Sequence, residues 1–214
     1  MEWRDEGLII GVRRHGEAST IVEALTRAHG RHLGLVRGGR SARLRATLQL
    51  GNTIGLVWRA RLDEHLGSYA VEPLSLRAGR LMGSALALAG INYVAALVRV
   101  LPERDPHEAV YEAVSTIAEA LDDGALAPTL IARFEAQILA ECGFQLDLSC
   151  CAATGVTDNL VYVSPKSGRA VSAEEIADGF RLTGFFLARD LFALHGEPLP
   201  DSRAAFLKAA QVTR

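Results

Sequence analysis

Apolar and polar positions follow two rhythms along this chain, and the change comes near residue 77. Before it, apolar stretches are short and broken by polar turns: Leu8-Ile9-Ile10-Gly11-Val12, Thr20-Ile21-Val22-Glu23-Ala24-Leu25, His32-Leu33-Gly34-Leu35-Val36, Thr53 to Leu62, and Gly67 to Val71. Breaks at Arg13-Arg14-His15-Gly16 and Ala28-His29-Gly30-Arg31 make these five predicted strands. Five short strands with Gly at bends fit a small Greek-key barrel of the OB type, although an SH3-like barrel shares the pattern. After residue 77 the spacing is helical. Arg77 to Leu101 predicts one helix stopped by Pro102. His107 to Leu121 predicts a second, with Pro106 near its first turn, His107 and Glu108 as capping and dipole groups, and Asp122-Asp123-Gly124 at its end. Pro128 to about Glu141 predicts a third, with Leu130, Ile131, Phe134 and Ile138 on one face and Gly143 as its stop. Leu160-Val161-Tyr162-Val163 and Ala170-Val171 read as a hairpin about a turn at Pro165 to Gly168. Ser172-Ala173-Glu174-Glu175 is a capping box for a further helix, and Gly184 to Leu194 and Ser202 to Ala210 complete the set.

The prediction is an α+β chain with a barrel domain at 1–76 and a mainly helical domain at 77–214, interrupted by a hairpin insertion at about 150–172. Leu81 to Val98 carries no charge over 18 residues, long enough for a transmembrane candidate. Its Ala, Gly and Ser content, its central Asn92, and arginines on both flanks (Arg77, Arg80, Arg99) point instead to a helix packed on all sides inside a folded protein.

Charge changes the picture. Residues 1–61 hold 11 Arg, no Lys and 5 acids, whereas the other 153 residues hold 12 basic and 20 acidic side chains. The formal net charge of −2 therefore conceals a cationic leading module joined to an anionic remainder, the pattern of a polyanion binder with a second task elsewhere. Arg presents a planar fork that matches phosphate and stacks on bases. The densest stretch is Arg37-Gly38-Gly39-Arg40-Ser41-Ala42-Arg43-Leu44-Arg45, which reads as a flexible cationic connection able to follow a phosphate backbone. Candidate phosphate contacts are Arg13, Arg14, Arg37, Arg40, Arg43 and Arg45, with Arg31, Arg59 and Arg61 behind them. Aromatic residues that could stack bases are scarce in this module (Trp3, Trp58, Tyr69), and alternation makes Trp58 as suited to the core as to a platform. Little base-sequence preference is expected.

Other chemistry is thin. Lys166-Ser167-Gly168-Arg169 lacks the upstream glycines of a phosphate loop and reads as a turn. His29 and His32 have no metal-ligand company and read as surface or loop residues. No nucleophile–base set is recognisable, so nothing argues for an enzyme, a cofactor or a bound metal. The acidic N-terminal residues do not make a secretion signal, and three Cys (Cys142, Cys150, Cys151) fit a reducing cytoplasm, with Cys142 expected to be buried.

At Gly143-Phe144-Gln145-Leu146-Asp147-Leu148-Ser149-Cys150-Cys151-Ala152-Ala153-Thr154-Gly155, and again at Tyr162-Val163-Ser164-Pro165-Lys166-Ser167-Gly168-Arg169-Ala170-Val171-Ser172, the chain resembles the RecO family of bacterial repair and recombination mediators. Gly7-Leu8-Ile9-Ile10, Gly16-Glu17, Arg37-Gly38-Gly39-Arg40 and Phe134-Glu135 extend the resemblance over nearly the whole chain. The resemblance implies an OB barrel, a helical domain, and a non-catalytic mediator at the nucleoid that binds single- and double-stranded DNA and promotes strand annealing. It also implies work with RecR, and in some bacteria RecF, to load RecA on DNA coated by single-strand-binding protein, whose acidic tail docks on the helical domain. Arg133, beside the Leu130/Phe134 face, is the candidate for that tail. Some members hold zinc through two Cys-x-x-Cys pairs; the matching positions here are Cys151, Thr154, Ser172 and Glu175, one thiolate in four, so no closed zinc site is expected. Rival readings are an RNA-binding barrel protein and a metabolic enzyme with an incidentally basic β-domain.

Overall fold

The computed structural model describes residues 1–144, 146–164 and 167–172, which belong to two compact units, Met1–Ile138 and Leu139–Arg214. In the first unit five strands come first: β1 (Glu2–His15), β2 (Ser19–Thr26), β3 (Gly30–Val36), β4 (Thr53–Arg59) and β5 (Ser68–Ser75). β1 is far longer than its apolar centre predicts, because it has two partners. Its first half pairs with β4 from Glu2–Arg59 to Leu8–Thr53, its second half with β2 from Gly7–Thr26 to His15–Ser19, and the register shifts between Ile9 and Gly11 where one partner gives way to the other. Arg13 and Arg14 are consequently strand residues, opposite Ile21 and Thr20, and not the predicted turn. The turn follows at Gly16, with φ +59°.

The sheet runs β1-β2-β3-β5-β4 and closes on itself. The β3–β5 seam is thin, a single parallel pair, Leu35–Ser68. Gly34 makes it possible, since a Cβ there would stand 2.4 Å from the Tyr69 ring. The interior is filled by Ile9, Val22, Ala24, Val36, Leu48, Ile54, Leu56, Trp58 and Tyr69.

The segment between β3 and β4 is not the flexible connection predicted. Gly39 N donates to the Val36 carbonyl (3.3 Å), Arg40 N to Ala18 (3.2 Å) and Ser41 N to Gly38 (2.9 Å), and the chain then winds into α1 (Ala42–Arg45). Leu44 packs on the barrel core and Leu48 is buried in it. Two apolar anchors and a hydrogen-bonded turn fix a segment that charge and glycine content alone describe as loose.

The predicted helix at Arg77–Leu101 is two helices, α2 (Ala78–Met82) and α3 (Ala85–Val98). Ser84 interrupts it: its backbone is extended and its hydroxyl accepts from Ala87 N at 3.2 Å, an N-cap. α3 buries Ala87, Ile91, Val94, Ala95 and Val98, but Leu86, Leu88 and Tyr93 are exposed, so packing on all sides is not observed. Among the described residues no helix is long and apolar enough to cross a membrane. α4 (Glu108–Ala120) and α5 (Leu126–Glu141) follow, close to their predicted spans; His107 is the N-cap residue of α4, without a side-chain capping bond. The helices are tied to the barrel by polar contacts as well as packing. Arg77 donates to Thr53 Oγ1 (2.6 Å), Asn52 Oδ1 accepts from Ala78 N (2.9 Å), and Arg27 links Glu6 to Glu108 and Glu112.

In the second unit β6 (Leu160–Val163) and β7 (Ala170–Ser172) form the predicted hairpin, and Asp147 bridges to Arg169 beside it. The helices predicted from the Ser172 capping box onward, and the residues Pro165 and Lys166 of the turn, lie outside the described residues.

Candidate nucleic-acid interface

The barrel separates the predicted arginines into those it exposes and those it uses. Arg13, Arg14, Arg37, Arg43, Arg45 and Arg61 are exposed, with no ion pair among the described residues. Arg40 is exposed too; its guanidinium donates to the Glu17 carbonyl at 2.5 Å, which leaves its charge uncancelled. Arg31 is different. Its side chain is 14% exposed and is held by Glu23 (2.9 Å), Glu103 (3.4 Å) and the Leu101 carbonyl (3.2 Å), so it fastens β3 to the segment after α3. Arg59 is gripped by Glu2 through two of its nitrogens, Nε at 2.8 Å and Nη2 at 3.1 Å, although it stays on the surface. That fork–fork contact draws the Glu2 carboxyl below its usual range.

Five of the seven exposed guanidinium groups line two grooves, and Arg13 and Arg61 line neither. A groove of about 650 Å³ is lined by Arg14 and Thr20 on the first hairpin, Arg40 and Arg45 from the 37–45 segment, Asn92 on α3 and Arg99, the C-cap residue that follows it. A second, of about 400 Å³, is lined by Arg37, Arg43 and Leu44 from the same segment, with Arg59, Tyr69 and Val71 opposite. Asn92 and Arg99 were not among the predicted site residues. Their only sequence signal was that Arg99 ends an uncharged run, and their place in the groove follows from α3 lying against β1, where Arg99 Nη2 donates to the Ile10 carbonyl at 2.6 Å. Glu23 is shared by Arg31 and Arg99, so the Arg99 charge in this groove is paired.

The aromatic residues are committed to the fold. Trp58 and Tyr69 are buried, and Trp3 is stacked against His29 (3.9 Å between ring centres) and Trp58 (5.5 Å). His32, expected at the surface, is buried beside them, its Nδ1 2.9 Å from the Leu33 carbonyl oxygen and 3.2 Å from Tyr69 Oη. Burial pushes its pKa down to about 4, so it is neutral at pH 7 and adds nothing to the cationic surface. What the two grooves offer a ligand is a set of guanidinium groups with small polar and apolar walls, suited to phosphate and indifferent to base identity.

In the second unit Cys151, not Cys142, is the buried thiol; Cys142 is half-buried. Cys151 Sγ accepts from Ser172 N at 3.4 Å. Burial raises this thiol, but hydrogen bonds from Thr154 and Ser172 outweigh it and bring the pKa to about 6. No group of three His, Cys, Asp or Glu able to hold a metal occurs among the described residues, and Glu175 lies outside them. A single hydrogen-bonded thiolate does not fit a closed zinc site. Millimolar EDTA is therefore expected to leave the melting temperature unchanged; a drop of several degrees on chelation would show a structural metal instead. On α5 Phe134 is buried at 1% exposure, while Arg133 is exposed, so the predicted pair does not present a joint surface.

Comparison with known proteins gives the family. The model of the family "Recombination protein O N terminal" matches residues 1–77, and "Recombination protein O C terminal" matches residues 82–205. The DNA repair protein RecO of Beijerinckia indica is 55% identical over 97% of this chain and 94% of its own length. That of Methylocella silvestris is 54% identical (97% and 95%), and that of Mesorhizobium japonicum 51% (98% and 93%). Two adjoining family models covering barrel and helices, together with full-length relatives at half identity, place the chain in the RecO family of DNA repair proteins.

Proposed function

We propose that this chain is a non-catalytic recombination mediator whose barrel binds single- and double-stranded DNA through its exposed arginines, promotes annealing, and acts with RecR, and in some settings RecF, in loading RecA on DNA coated by single-strand-binding protein. The observation that carries the DNA-binding part is that seven of the predicted arginines (Arg13, Arg14, Arg37, Arg40, Arg43, Arg45, Arg61) are exposed without a carboxylate partner among the described residues, whereas Arg27 and Arg31 are taken up by Glu103, Glu108 and Glu112 beyond the barrel. Each phosphate neutralised releases counterions, so affinity should fall steeply with salt. Arg31 is removed from the binding set by its internal pairs, and Arg59 is secondary because Glu2 competes for it. The partner assignments rest on family likeness, and for the acidic tail of single-strand-binding protein on the exposed position of Arg133.

The test is a salt titration of oligothymidylate binding by wild type and by the variant with Arg37, Arg40, Arg43 and Arg45 all changed to Ala. The slope of log affinity against log salt is expected to fall by about 3, since each single-strand phosphate contact contributes about 0.7. An unchanged slope and affinity would refute the assignment. Equal competition by an RNA oligomer of the same length would transfer the reading to RNA.

A further inference from the structure

The position of α1 between the two grooves carries the DNA-binding reading one step further, and the step rests on that reading. We infer that the Arg37–Arg45 segment is a partition between two strand-binding grooves, so that one molecule holds two DNA strands at once, one on each side of α1. Leu44 points into the barrel core. Successive helical residues are turned about 100° from one another, so with Leu44 directed downward Arg43 and Arg45 emerge on opposite flanks. The lining of the grooves follows this division. Arg37 and Arg43 face one groove, Arg40 and Arg45 the other, and none of the four is shared.

Each groove has an arginine on a second wall: the unpaired Arg14 on one side, beside Arg99 held by Glu23, and on the other Arg59, which Glu2 holds. The partition is firmly seated. Leu44 and Leu48 anchor it in the core, and Gly39 lies so close to β2 that a Cβ would stand 2.8 Å from Thr20. A helix with its side chains is about 10 Å across. That matches the Debye length of about 8–10 Å at physiological ionic strength, so two bare backbones at this spacing repel, and a row of guanidinium groups between them converts repulsion to attraction. The spacing is also close to the width of about 12 Å separating the backbones across a B-DNA major groove. Strands held this way are near enough for their bases to meet.

Two variants separate the grooves: R14A/R40A/R45A for one and R37A/R43A for the other, all exposed positions whose melting curves serve as the folding control. Saturating titration with an oligothymidylate of about 15 nucleotides, read by native mass spectrometry, is expected to give two strands per wild-type molecule and one per molecule of either variant. Annealing of complementary oligonucleotides is expected to slow at least tenfold in both variants, and an equimolar mixture of them should not recover it. One strand per wild-type molecule at saturation overturns the partition, as does recovery of annealing by the mixture or a variant that loses all binding while the other anneals normally. In those outcomes salt-dependent binding persists and the DNA-binding reading stands. Absence of salt-dependent binding by wild type defeats that reading itself.

Discussion

Trp58→Ala is expected to lower the stability of the barrel by about 3–5 kcal/mol, as for other fully buried aromatic truncations, and the melting temperature by about 10 °C in a unit of this size. Trp58 has no exposed surface and belongs to the central core cluster. Three further contacts converge on it. Its indole Nε1 donates to the Leu66 carbonyl at 3.1 Å, its ring stacks on Trp3, and His32 meets its face edge-on with 5.1 Å between centres. Gly67 covers the ring so closely that a Cβ there would lie 2.3 Å from Nε1. Truncation therefore empties a cavity and leaves the Leu66 carbonyl without its donor. Trp58→Phe retains most of the packing and loses the hydrogen bond, at a cost nearer 1–2 kcal/mol. Urea denaturation measures both. DNA binding below the new melting temperature should keep its salt slope, because no candidate arginine rests on Trp58. A loss below about 1 kcal/mol for the alanine variant would mean that the aromatic nest is not the keystone of the barrel.

The five strands, the barrel class and the order of the helices were legible from apolar spacing, because that spacing records which side chains face a core. It does not record where backbone pairing stops. β1 continues through Arg13 and Arg14 because β2 lies alongside, and a polar strand end is stable wherever a neighbour satisfies its N–H and C=O groups. Composition misleads at the 37–45 segment for a related reason: four Arg and two Gly outweigh one Leu in any composition, but that Leu44 reaches the core and decides the conformation. Charge marked the barrel as the cationic module and could not say which of its charges were spent on internal pairs. Arg31 is neutralised by Glu23 on the adjacent strand, a diagonal pair set by the β2–β3 register, and Arg99 enters the groove only because α3 packs on β1. Ser84 as a helix cap was readable in principle, but the long uncharged run around it concealed the break.

His32 makes the second large prediction, a loss of stability in mild acid that a single substitution should abolish. The imidazole is buried and neutral. Burial is the main cause of its lowered pKa of about 4, the hydrogen bond with the Leu33 carbonyl opposes this, and the positive charge of Arg104 adds to it. In the unfolded chain the ring titrates near 6.5. Above that value both states are neutral and His32 is indifferent to pH. Between about 6.5 and 4 the unfolded state takes up a proton that the folded state refuses, so stability falls as pH falls, by up to about 3 kcal/mol across the window. Below about 4 the folded state also protonates and this contribution levels off. His32→Asn keeps a short polar group in reach of the Leu33 carbonyl but cannot charge. The variant should be less stable than wild type at pH 7, having lost ring contacts with Trp3 and Trp58, yet its stability should decline more gently between pH 6.5 and 4, and the gap between the two proteins should narrow toward the acid end. Carboxylates elsewhere titrate in both proteins, so the difference between the two curves isolates His32. Parallel curves through that window would show that the ring is protonated in the fold, and the neutral nest around Trp3, Trp58 and Tyr69 would have to be redrawn with a buried cation at its centre.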